Sequence, residues 1–155
     1  MGAGQGMSET HIEGFGLEAA QALVKTDVFP AWIQDLQLGV ERLHPAADPD
    51  GVGAVLRMKF SERLCRDGGM ICGQALMSLA DTAMIFAVSA ASGGYRPMST
   101  VDLTTHFMRP AVNSDVLADA RIVRMGKSMA FGQVMLTGVF DPKPLAMVSS
   151  AYALM

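Results

Sequence analysis

Charge is scarce in this sequence: only 17% of its 155 residues are Asp, Glu, Lys or Arg, with twelve basic side chains against fifteen acidic ones. No basic stripe stands out, which argues against nucleic acid as a partner. Cysteine is scarcer still. Cys65 and Cys72 are the whole supply, too few for a disulfide framework, and free thiols in a reducing cytoplasm are expected. His11, His44 and His106 are scattered without metal-ligand spacing. Residues 1–16 are Gly-rich and expected to be a flexible segment. They lack the basic start and apolar block of a secretion signal, and Gly6 stands where myristoylation needs Ser or Thr. The longest apolar run, near 83–91, is shorter than a bilayer span requires, so no membrane insertion is expected.

What is abundant is apolar. Half of the residues are hydrophobic, too many for a disordered chain, and a compact domain over 17–155 with some of its surface covered by a partner is expected. Methionine occurs 13 times, which suits ordinary core filling or a pocket that adapts to varied apolar ligands.

Helical spacing over Leu17–Lys25 and a proline start at Pro30 predict two short helices, Leu17–Lys25 and Pro30–Leu36. Two strands follow, about Gln37–Pro45 and Val52–Phe60, around the turn Ala47-Asp48-Pro49-Asp50-Gly51. Residues 61–70 read as irregular. The second half reads as four strands: Met98–Met108, Asp115–Arg124, Ser128–Phe140 and Leu145–Leu154. The last three join through the turns Met125-Gly126-Lys127 and Asp141-Pro142-Lys143-Pro144, so the sheet is antiparallel.

Between the two halves runs the most informative segment, Ile71–Ala91. It has no Gly or Pro after Gly73, and apolar residues cover most of its circumference, so it reads as a helix buried on nearly every side. One sheet must wrap it. From Met70 to Tyr95 the only acidic side chain is Asp81, on a polar stripe with Gln74, Ser78, Thr82 and Ser89. A solvated stripe is the plain reading, although such a stripe normally carries Lys, Glu or Arg. A lone carboxylate among Ala, Leu, Met and Phe loses water on folding, which raises its pKa and improves it as a base. Gly73 opens the same helix. There the first N–H groups and the helix dipole can hold the oxyanion formed at an attacked carbonyl, or Gly73 is simply a helix-start glycine. Eight residues at ~1.5 Å rise put Gly73 and Asp81 roughly 12 Å apart, too far for one chain to bring both to one carbonyl. Two antiparallel copies across a two-fold axis could do so, with Ala80, Ala83 and Ala87 letting the helices approach.

Gly73-Gln74-Ala75-Leu76-Met77-Ser78-Leu79-Ala80-Asp81-Thr82-Ala83 resembles the helix motif of hotdog-fold acyl-CoA thioesterases of the PaaI-like type. Thr100-Val101-Asp102-Leu103-Thr104, Phe107-Met108-Arg109-Pro110-Ala111 and Arg124-Met125-Gly126-Lys127-Ser128 resemble the blocks that follow in that family, and the likeness runs from about Val52 to the C-terminus. The resemblance implies an α+β hotdog fold, about six antiparallel strands around one long helix. It also implies a thioester substrate, usually an acyl-CoA, hydrolysed without metal or organic cofactor, in a homodimer or a dimer of dimers. By the same resemblance Asp81 is the general base on water or the nucleophile. Gly73 is the oxyanion glycine, and Thr100, or Ser99 beside it, is the hydroxyl that places the water. Cys72 stands where the family has His and Gln74 where it has a second glycine. The polar loop residue falls at Arg66 or Asp67. The phosphates of CoA would call for basic residues at the entrance, and Arg109, Arg124 and Lys127 are candidates.

Other motifs are dismissed. Gly14-Phe15-Gly16-Leu17-Glu18-Ala19 fits a shortened dinucleotide fingerprint, but no strand precedes it. Gly126-Lys127-Ser128 ends like a phosphate loop, but Arg121 replaces its first glycine. Two function classes stay open: a thioester hydrolase, favoured by Asp81, and a hotdog module that binds an acyl ligand without turnover, favoured by Cys72 and Arg66. A hydratase on this fold would want an Asp and a His about five residues apart in the helix region, and none is there.

Overall fold

A computed structural model describes residues 14–155; residues 1–13, most of the segment expected to be flexible, lie outside the described residues. Helix α1 spans Leu17–Leu23 and α2 Ala31–Gln34, with Pro30 as the extended residue ahead of it. Helix α2 is shorter than its apolar spacing suggests. Gln37 turns left-handed, at φ 52°, and hands the chain to the first strand.

Strands β1 (Gly39–His44) and β2 (Gly53–Met58) form the first antiparallel pair. The stretch 61–70 is more ordered than expected. A 3-10 turn, Glu62–Leu64, leads into a small ribbon of β3 (Cys65–Arg66) and β4 (Met70–Ile71). The ribbon's reversal needs positive φ at Gly68 and Gly69, 85° and 74°, which glycine adopts without steric cost. Helix α3 then runs from Gly73 to Ser92 and stops at Gly93, whose φ of 75° makes a left-handed cap.

Strands β5 (Met98–Phe107), β6 (Val116–Met125), β7 (Met129–Gly138) and β8 (Asp141–Leu154) complete the fold. One antiparallel sheet holds six strands in the order β1-β2-β6-β7-β8-β5, with α3 packed on its inner face. This is the α+β hotdog arrangement. The last turn sits earlier than its prolines suggest, at Val139 and Phe140, and 141–144 belong to β8. Pro142 and Pro144 lie beyond the end of β5, whose pairing with β8 reaches only Phe107 opposite Ala146. On that free edge no ladder hydrogen bond is lost to a missing N–H.

The helix and sheet bury each other through alternating small and large residues. Ala80, Ala83 and Ala87 are fully buried, together with Leu79, Met84 and Phe86. The three alanines therefore face their own chain's core and not a second copy of the helix. Facing them are strand residues such as Leu56, Val134, Leu136, Val148 and Tyr152. Each large side chain removed from water here contributes about 1.5–3 kcal/mol. At 20 residues and a mean hydropathy of 1.5, α3 has the length and apolarity of a membrane span, more than the run 83–91 implies. Its place under the sheet accounts for that apolarity.

Two surfaces stay uncovered. Between its first residue and its last turn, the half-exposed or exposed positions of α3 are Gln74, Met77, Ser78, Asp81 and Ile85, a single strip at helical spacing. Thr82 and Ser89, expected on the polar stripe, are buried, and Ser89 spends its hydroxyl on the carbonyl of Ile85. The other surface is β5, an outer strand of ten residues with almost no burial.

Candidate active site

Asp81 sits midway along α3, half-buried on the open strip. Two hydroxyls converge on it. Thr100 Oγ1 donates to Asp81 Oδ1 at 2.9 Å, and the Tyr152 hydroxyl donates to the same oxygen at 2.7 Å. Thr100 comes from β5 and Tyr152 from β8, and these two residues are cross-strand partners. A bulge at Val101 shifts the β5 register beside them, the usual way a strand re-aims a side chain at a site. Strand alternation turns Ser99 to the other face from Thr100, so Thr100 is the hydroxyl that meets Asp81.

Tyr152 is fully buried. Burial, then the negative charge of Asp81 and the hydrogen bond to it, push its phenol well above the ordinary value of 10, so it remains a donor at any working pH. Among the described residues no donor reaches the second oxygen of Asp81, Oδ2.

The helix start lies elsewhere. Cys72 caps α3 with its backbone, its carbonyl taking the N–H groups of Ala75 and Leu76. The N–H groups of Gly73 and Gln74 come before these and have no helical carbonyl behind them. Gly73 borders a hollow of about 500 Å3 lined also by Arg66, Met70, Leu76, Phe107 and Arg109, among others. The tip of the Phe107 ring abuts Gly73: a β-carbon there would come within 3.0 Å of its Cζ. The wall is mainly apolar with two cations, a composition suited to an apolar ligand that carries negative charge.

The predicted residues thus separate into two groups. Gly73, Cys72, Gln74, Arg66 and Arg109 gather at the N-terminal end of α3. Asp81 and Thr100 meet farther along it, at ~1.5 Å per residue roughly 12 Å from Gly73. Arg124 and Lys127 belong to neither group. They lie at the β6–β7 turn by the far end of the helix, where Arg96 bonds the Lys127 carbonyl and Ser92 reaches Met125. Gln74 is exposed and Cys72 half-buried. Both cysteines are free. Among the described residues no three His, Cys, Asp or Glu side chains gather as metal ligands would. Tyr152 and Phe107 are the site residues that sequence reasoning misses.

A larger hollow, about 680 Å3, lies on the sheet's outer face beside Asp119, Arg121 and Gln133. Arg121 in its wall is already engaged by Asp48 and Asp119 at 2.9 and 2.7 Å, and neither Asp81 nor Gly73 borders it.

Residues 68–137 match the thioesterase superfamily. That stretch holds all of α3, strands β5 and β6, and β7 up to its last residue. Among solved structures, a putative thioesterase from a Silicibacter species is 26% identical with a TM-score of 0.77, over 92% of this chain and 94% of that one. Zebra fish thioesterase superfamily member 2 is 24% identical with a TM-score of 0.76, over 90% and 99%. The PaaI protein of the Escherichia coli phenylacetic acid degradation operon is 19% identical with a TM-score of 0.73, over 89% and 91%. No curated protein sequence matches this chain.

Proposed function

The chain is a hotdog protein whose residues 68–137 carry the thioesterase-superfamily pattern, and on that footing we propose that it hydrolyses an acyl-CoA or related thioester with the Asp81 carboxylate driving the attack. The observation that carries the proposal is the convergence of Thr100 and Tyr152 on one oxygen of a lone carboxylate that opens on an uncovered helix strip. Held so, Asp81 can take a proton from water, or attack the carbonyl itself. The oxyanion would rest on the N–H groups at Gly73, at the positive end of the helix dipole.

The two groups cannot meet within one chain, so the working site takes Asp81 from one protomer and Gly73 from its partner. Two uncovered features support that pairing. Strand β5 offers a ten-residue unpaired edge, which proteins seldom leave bare. Val101 and Phe107 on it are 61% and 52% exposed. The strip Gln74–Ile85 lies on the same open side as Asp81. Arg66 and Arg109 beside the hollow would take the phosphates of CoA. A reducing cytoplasm suits the two free thiols.

The test is a panel of acyl-CoAs offered to wild type, Asp81→Asn and Asp81→Ala. Turnover that falls at least about a hundred-fold in both variants, as loss of a general base implies, is the expected result. Equal turnover in all three would refute the role of Asp81. Tight binding of acyl-CoA without turnover by wild type would favour the second reading, a non-catalytic acyl-binding module, which the departures at Cys72 and Arg66 suit.

A further inference from the structure

We infer that Tyr152 is a positioning residue for Asp81: its buried phenol, with Thr100, pins the carboxylate by Oδ1 and leaves Oδ2 as the oxygen that reacts. This rests on the reading of Asp81 given above. A carboxylate on a short side chain can turn about its last bond and offer either oxygen, and two donors on one oxygen remove that freedom. The Thr100 hydroxyl at 2.9 Å and the Tyr152 hydroxyl at 2.7 Å come from adjacent strands. Tyr152 also approaches the Asp81 backbone carbonyl at 3.4 Å, so the phenol is seated against the helix itself. The Tyr152 side chain is fully buried, and a buried phenol without an acceptor would be costly. Asp81 supplies that acceptor, and the two residues hold each other in place. Oδ2, which takes no bond from either hydroxyl, is left for the water or the thioester carbon.

Tyr152→Phe keeps the ring and its packing and deletes one oxygen. The expected result is a fall in kcat of about ten-fold or more, the worth of one hydrogen bond to a charged group, with KM changed less than about two-fold. A merely structural role would lower the folded fraction and leave kcat per folded molecule unchanged. The second measurement does not depend on turnover. Urea unfolding of wild type, Tyr152→Phe, Asp81→Ala and the double variant forms a closed cycle, and the double change should differ from the product of the single ones by about five-fold or more in the unfolding equilibrium. If wild type hydrolyses thioesters, Asp81→Asn does not, and Tyr152→Phe keeps the wild-type kcat, the positioning role is overturned while the function stands. If no form hydrolyses anything on the panel, the function fails and the cycle decides alone: coupling supports the pinned carboxylate, and additivity overturns it.

Discussion

Replacing Gly132 by alanine tests whether α3 is seated as tightly as the structure requires. Gly132 is buried in the middle of β7, between Ile122 on β6 and Ser150 on β8. A β-carbon there would overlap Cε of Met84, and would lie 2.6 Å from Met84 Sδ and 2.8 Å from the carbonyl oxygen of Arg121. Met84 is fully buried, so its end has no free space to enter, and the Arg121 oxygen is backbone. Overpacking of this kind costs about 1–3 kcal/mol. Stiffening of the unfolded chain returns about 0.5 kcal/mol. The net loss of about 0.5–2.5 kcal/mol should lower Tm by roughly 1–10 °C in a domain of this size. Thermal unfolding of Gly132→Ala measures it. Met84→Val ends at its γ carbons, short of the two atoms in conflict. Alone it costs about 1–3 kcal/mol as a truncation. In the double variant the total should fall below the sum by about 1 kcal/mol, with the Arg121 contact left unrelieved. A Gly132→Ala protein that melts with wild type, or costs that simply add, would refute the reasoning.

Thr100→Val keeps the branched shape and deletes the hydroxyl on Asp81, so kcat should fall about ten-fold. Ser99→Ala, on the opposite face, should leave it within about two-fold, and steady-state kinetics separates the two. Asp115 ties β6 to β2, accepting the backbone N–H of Phe60 at 2.7 Å and the Arg57 guanidinium at 2.8 Å. These bonds, the Phe60 N–H first, hold its carboxyl below the ordinary 3.8. Its contribution is therefore complete above pH 3.8 and is lost as pH falls through the lower folded value. Asp115→Asn should cost about 1 kcal/mol at neutral pH. The gap to wild type should close in unfolding experiments run progressively below pH 3.8.

Local chemistry made much of this fold readable. The long apolar run after Gly73 places α3 to within two residues at its start, and Gly126 marks the β6–β7 reversal. The single acidic residue between Met70 and Tyr95 picks out Asp81 because a charge in apolar surroundings demands a reason. What escaped depends on which strands become neighbours. Tyr152 reaches Asp81 only because β8 lies beside β5, and nothing in a run of Ser, Ala and Tyr reports that pairing. Ala80, Ala83 and Ala87 suit a contact between copies by sequence alone, because small residues allow any close approach. Only the sheet's position shows that the approach is to β2, β6 and β7. The prolines at 142 and 144 suggest a turn, but β7 runs along one side of them and only the β5 side is free, so their missing N–H groups cost no ladder bond there.

The distance between Gly73 and Asp81 is a property of helical rise and cannot be tuned by moving a loop. One rod carries both residues, so under the proposed function the reach between carboxylate and oxyanion is set by how two rods lie against each other. Under the proposed function a solitary copy holds two incomplete halves, so dilution is expected to lower turnover per milligram as copies part, before any copy unfolds, and an activity titration against protein concentration checks it.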